Sequence, residues 1–167
     1  MLRVAINGYG RIGRSVLRAL YESNARQWVQ VVAINEPAET KTMAHLTRYD
    51  STHGRFPGTV EWQQDKLVVN DDVIQICHQE DLSQLPWASF GIDVVLECSG
   101  TFSDRSTAET HLKAGATRVL FSQPAGPNVD ATIVYGINHQ VLSGDETIIS
   151  SASCSTNCVV PVISVLN

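Results

Sequence analysis

Two short stretches of the 167-residue chain hold residue types whose spacing suits chemistry. The first is Gly8-Tyr9-Gly10-Arg11-Ile12-Gly13, a G-x-G-x-x-G pattern. Its first glycine permits a tight turn and its second leaves no Cβ between the backbone and a pyrophosphate. The third lets a helix pack closely on a strand. Glycine turns without a ligand also fit the pattern, so context decides: a strand must run into it and a helix must leave it. Both conditions hold. Val4-Ala5-Ile6 is a short apolar run, and Ile12, Val16, Leu17 and Leu20 recur at helical spacing between Arg11 and Glu22. The free N–H groups and positive end of such a helix favour phosphate charge. Glu36 ends a second apolar run, Val29 to Ile34. It lies roughly 20 residues past the last glycine, where an acid binds the adenosine ribose hydroxyls and repels a 2′-phosphate. The expected cofactor is NAD rather than NADP.

The second stretch is Ser150-Ser151-Ala152-Ser153-Cys154-Ser155-Thr156-Asn157-Cys158. Small polar residues before the apolar segment Val159 to Leu166 predict a helix capped near Ser153. Cys154 then falls in the first turn, where exposed amides and the helix dipole favour a thiolate, the form that adds to an aldehyde. Cys158, one turn on, has no accompanying ligand cluster, and C-x-x-x-C is a poor zinc spacing. It is expected to be a packed helix residue, and no metal is expected.

The elements that must position these stretches alternate between strand and helix. After Val29 to Ile34 come a short helix over Thr42 to Tyr49 and strand candidates at Thr59 to Trp62, Lys66 to Val69 and Val73 to Cys77. Asp93 to Glu97 is another β-rich run, followed by a helix from about Asp104 to Ala114 with Gly115 as its stop. Thr117 to Phe121, Ala131 to Tyr135 and Thr147 to Ile149 complete the strands. The pattern predicts an α/β, doubly wound, mainly parallel sheet with helices on both faces, a Rossmann-type fold.

Composition is that of a globular domain, with 43% hydrophobic and 17% charged residues. A net charge of −5 argues against nucleic acid or an anionic membrane as partner. No apolar run approaches the roughly 20 residues that span a bilayer, and no secretory signal opens the chain. Cys77 and Cys98 lie in strand-like runs, and four cysteines without a framework suit a reducing, cytoplasmic setting.

Three stretches closely resemble the glyceraldehyde-3-phosphate dehydrogenase family: Ala5 to Arg14, Tyr49-Asp50-Ser51-Thr52-His53-Gly54-Arg55-Phe56, and Ser151 to Cys158. The likeness runs over essentially the whole chain. Ala19 to Ser23, Ala33-Ile34-Asn35-Glu36 and Asp130 to Asn138 are most similar to the branch that oxidises D-erythrose 4-phosphate. The resemblance implies that Gly8, Gly10, Arg11, Ile12, Gly13, Glu36, Glu80, Ser99, Gly100 and Ser122 line the NAD site. Glu80 stands where family members often carry an arginine. Cys154 matches the nucleophile, and Ser153 and Ser155 its substrate-contacting neighbours. The implied division is a cofactor domain over 1–153 and the first helix of a catalytic domain over 154–167. The activating histidine of the family lies beyond residue 167, and none of His45, His53, His78, His111 and His139 matches it. The chain alone is therefore expected to bind cofactor without turnover. A small phosphorylated aldose is the implied substrate and a homotetramer the implied assembly.

Overall fold

The computed structural model describes residues 1–166. Strand β1 (Leu2–Asn7) runs into the glycine loop, and α1 (Arg11–Glu22) leaves it. Strand β2 (Val29–Asn35) and helix α2 (Thr40–Arg48) follow, then a small hairpin of β3 (Tyr49–Asp50) and β4 (Gly54–Arg55). Three further strands are β5 (Val60–Trp62), β6 (Lys66–Val69) and β7 (Asp72–Cys77). The second half holds α3 (Trp87–Phe90), β8 (Val94–Glu97), α4 (Arg105–Lys113) and β9 (Arg118–Phe121). It ends with β10 (Ala131–Ile133), β11 (Ile148–Ser151) and α5 (Cys154–Leu166).

Nine strands form one sheet in the order β10-β11-β9-β8-β1-β2-β7-β6-β5. Every pairing from β10 to β7 is parallel, while β6 and β5 add an antiparallel edge. The chain builds outward from β1 through β2 to β7, then returns to lay β8 on the other side of β1. That reversal opens a crevice above the carboxyl ends of β1 and β8, the usual ligand position in such sheets.

Successive residues of a buried strand face opposite sides of the sheet. Ile6 and Ile34 join Leu17 of α1 and Met43 of α2 in one core, and Ala5 and Ala33 join Trp87 and Ala108 of α3 and α4 in the other. Two covered faces explain why β1 and β2 read as continuous apolar runs rather than as alternating ones. The α4 boundaries follow from caps: Asp104 accepts from the Thr107 N–H at 3.0 Å, and Gly115 (φ 111°) takes the chain out of the helix. In α5, by contrast, no described residue is buried, and Val162, Ile163, Val165 and Leu166 are all more than half exposed. Cys158 is exposed too, which corrects the expectation of a packed helix cysteine. The physical reason is that, among the described residues, no other element buries any residue of α5.

Candidate functional site

The glycine loop is held from three directions. The Gly8 N–H donates to the Asn35 carbonyl at 2.9 Å, tying the end of β1 to the end of β2. Gly8 itself has φ 89°, and a Cβ there would overlap the backbone of Ser99 just past β8. Only glycine fits both demands. A Cβ on Gly13 would strike the Gly8 carbonyl oxygen, so this residue allows α1 to lie close against the loop.

Gly10 differs: nothing lies within 4 Å of where its Cβ would be. It is the N-cap of α1, yet no side chain caps that helix and no acid occupies its first turn. The first amides of a helix have no partner inside it. An uncapped helix start beside open space, reached over a Cβ-free backbone, fits a diphosphate.

Glu36 extends the cradle. Its carboxylate accepts from the Tyr9 N–H at 2.7 Å and from the Ala38 N–H at 3.3 Å. Tyr9 is itself anchored, with its hydroxyl 2.8 Å from the Thr47 hydroxyl, and burial pushes that phenol well above its ordinary pKa. The structure brings Gly8, Gly10, Glu36, Glu80 and Ser99 together around one cleft. Two carboxylates, Glu36 and Glu80, among its lining residues disfavour a further negative charge there.

Ile12 and Ser122 line a second, more apolar hollow beside α1, together with Leu96, Leu120 and Ser151. Cys98 also lines it, and burial pushes that thiol up to about 11, away from the thiolate form. Arg11 is exposed at the start of α1, and Gly100 (φ 73°) is exposed in the turn after β8.

Ser153 caps α5, accepting from the Thr156 N–H at 3.1 Å. Cys154 is the first residue of that helix and is exposed, as is Ser155. Strand β11, whose Ser151 borders the apolar hollow, leads into this turn. Three histidines are engaged elsewhere: His78 with the Glu36 carbonyl, His111 with Trp87 and Glu97, and His139 with the Gly136 N–H. Among the described residues, no group of three or more His, Cys, Asp or Glu side chains is placed to hold a metal ion.

The sequence reading missed the polar floor of the main cleft. Asn7 and Asn35, the last residues of β1 and β2, stand in register with each other. Both line the cleft, with Gln79 beside them. The available signal was an asparagine closing each of two otherwise apolar strands.

A doubly wound sheet whose reversal point carries an uncapped glycine loop and a strand-end acid defines a dinucleotide-binding domain. The family described as glyceraldehyde 3-phosphate dehydrogenase, NAD binding domain, matches residues 2–105, and the chain belongs to that family. NAD is accordingly its cofactor, and the chain carries the NAD-binding domain of an NAD-dependent oxidoreductase. No helix among the described residues is long and apolar enough to cross a membrane.

Proposed function

We propose that this domain serves an NAD-dependent dehydrogenase that oxidises D-erythrose 4-phosphate to 4-phosphoerythronate, a step toward pyridoxal phosphate, with Cys154 as nucleophile. The observation that carries the reading is the position of Cys154. It is exposed at the first turn of a serine-capped helix, directly after the strand that borders the hollow beside α1. The branch is supported by the likeness of Ala19 to Ser23, Ala33 to Glu36 and Asp130 to Asn138 to erythrose-phosphate enzymes.

In this reading the first-turn amides of α1 hold the diphosphate, with Arg11 and Ile12 against it, and Glu36 takes the adenosine ribose. NAD, when bound, supplies the hydride acceptor. The Cys154 thiolate adds to the aldehyde carbon to form a hemithioacetal, and loss of hydride from that carbon leaves a thioester. Water then opens the thioester, and the sulfur departs as thiolate. Ser153 fixes the helix start and, with Ser155, flanks the substrate.

Turnover needs a base for the thiol, and His78, His111 and His139 are each engaged by other partners. The 167-residue chain is therefore proposed to bind cofactor without catalysing oxidation, and the active assembly to be a cytoplasmic homotetramer. The second reading, a glycolytic enzyme acting on glyceraldehyde 3-phosphate with inorganic phosphate as the acyl acceptor, is supported by the family match. Initial rates of NAD reduction on the two aldehydes separate the readings. They are to be measured on a protein that carries this segment together with an activating histidine. Faster turnover of erythrose 4-phosphate without phosphate supports the first; phosphate-dependent turnover of glyceraldehyde 3-phosphate supports the second. Aldehyde-dependent NADH formation by the 167-residue chain alone would contradict the proposed division of labour.

A further inference from the structure

Behind the cleft, on the α3 and α4 side, a continuous ladder of hydrogen bonds joins five side chains that are at most 4% exposed. The Trp87 indole donates to His111 Nδ1 at 3.0 Å, and His111 Nε2 meets Glu97 Oε2 at 3.1 Å. The same carboxylate oxygen accepts from Asn7 Nδ2 at 2.6 Å, while Oε1 accepts from the Ser99 N–H at 2.8 Å. Asn7 Oδ1 accepts from Asn35 Nδ2 at 2.8 Å, and Asn35 Oδ1 from the Gln79 N–H at 2.9 Å.

Chemistry fixes the direction of every rung. An indole N–H and a backbone N–H only donate, and a carboxylate only accepts. The ladder has donors at its ends, Trp87 and the amides of Gln79 and Ser99, and an acceptor, Glu97, at its centre. His111 must therefore accept at Nδ1 and carry its ring proton on Nε2. Asn7 must turn its amide nitrogen to Glu97 and its oxygen to Asn35, and Asn35 must turn its oxygen to Gln79. No member can be reversed without two donors facing each other in a buried site, where unsatisfied groups are costly.

Asn7, Asn35, Gln79 and Ser99 line the dinucleotide cleft, whereas Trp87 and His111 do not. We propose that Glu97 and His111 are positioning residues for the dinucleotide, acting through Asn7, Asn35 and Ser99, with Trp87 locking the imidazole in the one orientation the ladder accepts. The ladder sets the spacing between the carboxyl ends of β1, β2 and β8, and it mechanically links the cleft to the core between α3, α4 and the sheet. The proposal rests on this cleft being the NAD site.

The test follows the indole N–H resonance of Trp87 in the ¹⁵N-labelled chain during titration with NAD, assigned by its loss in Trp87→Phe. Calorimetry in parallel gives NAD affinity for wild type, His111→Leu and His111→Gln, each below the onset of its own melting. The Trp87 resonance is expected to move with the same midpoint as binding, although the ring does not touch the cleft. His111→Leu is expected to weaken NAD by roughly tenfold, a usual size for coupling between linked sites. His111→Gln retains a donor toward Glu97 and should recover most of that loss, which a merely space-filling role would not produce. A Trp87 resonance that stays still through saturation, with His111→Leu binding as wild type does, overturns the proposal. Should His111→Leu not fold, the wild-type resonance decides alone: movement supports the ladder and stillness overturns it. Absence of NAD binding by wild type would overturn the cofactor reading itself, and the ladder's role with it.

Discussion

The carboxylate of Glu36 accepts a hydrogen bond from the backbone N–H of Tyr9 at 2.7 Å, so the acid that follows β2 is fastened to the loop that follows β1. Glu36 and the glycine loop are thus tied together directly. Removing the carboxylate in Glu36→Ala should cost about tenfold or more in NAD affinity, as expected for hydrogen bonds to a charged group. It should also narrow the preference for NAD over NADP. Glu36→Gln, which can still accept from Tyr9, should lose discrimination with a smaller loss of NAD affinity. Calorimetric titration of both variants with both cofactors checks this; equal discrimination in all three proteins would refute it.

Two glycines of the same loop should respond in opposite ways. A Cβ at Gly8 meets the Ser99 backbone in a positive-φ turn, so Gly8→Ala should destabilise the fold by about 2 kcal/mol or more. At Gly10 a Cβ meets no protein atom, and Gly10→Ala should leave the melting temperature nearly unchanged while sharply weakening NAD. Thermal melts beside NAD titrations read the contrast. A Gly10→Ala protein that binds NAD normally would show that the diphosphate lies elsewhere.

Acid should loosen the sheet edge that leads to Cys154. The Arg105 guanidinium and the Ile148 and Thr147 amides hold the Asp130 carboxyl well below its usual range. The Ser143 amide, followed by others of its turn, pulls Glu146 down to about 2. Both folded-state values are depressed. Their stabilisation is therefore full above the unfolded values near about 4 and is lost as pH falls through the folded ones. Melting temperature should drop below about pH 4, and Asp130→Asn should flatten that drop while lowering stability at pH 7. A wild-type melting curve level down to pH 2 would speak against it.

The four cysteines should separate by access. Cys98 is buried with its thiol pushed up to about 11, Cys77 is half-buried and also raised by burial, and Cys154 and Cys158 are exposed. Brief iodoacetamide treatment at pH 8 should modify Cys154 and Cys158 and spare Cys98 in the folded chain. Peptide mass spectrometry reads the sites, and early labelling of Cys98 would contradict the burial described.

Much of this was legible in the residues. The run Arg11 to Glu22 appears as the helix its periodicity predicts, and β1, β2 and β8 fall on their apolar runs within a residue or two. Short elements were less legible: Trp87–Phe90 is only one helical turn, too brief to show a period, and the β3–β4 pair has two residues a side. In α5, Pro161 sits inside the helix, where its missing N–H would argue for a break, yet the helix continues through it. Of the candidate site, Gly8 and Gly13 were legible because they stand where a Cβ would clash, and Glu36 because an acid directly follows an apolar strand. The Trp87–His111–Glu97 ladder was not, because hydrogen bonds between residues far apart in sequence leave no spacing to read.

In the proposed function, the uncapped start of α1 grips a diphosphate while Glu36 admits only an unphosphorylated ribose. Calorimetric titration of the folded chain with NAD, then with NADP, tests it most directly. Saturable binding of NAD at one site, with NADP at least tenfold weaker, is the predicted result, the gap being the cost of setting a phosphate against a carboxylate. Equal affinity for the two, or heat from neither, would contradict it.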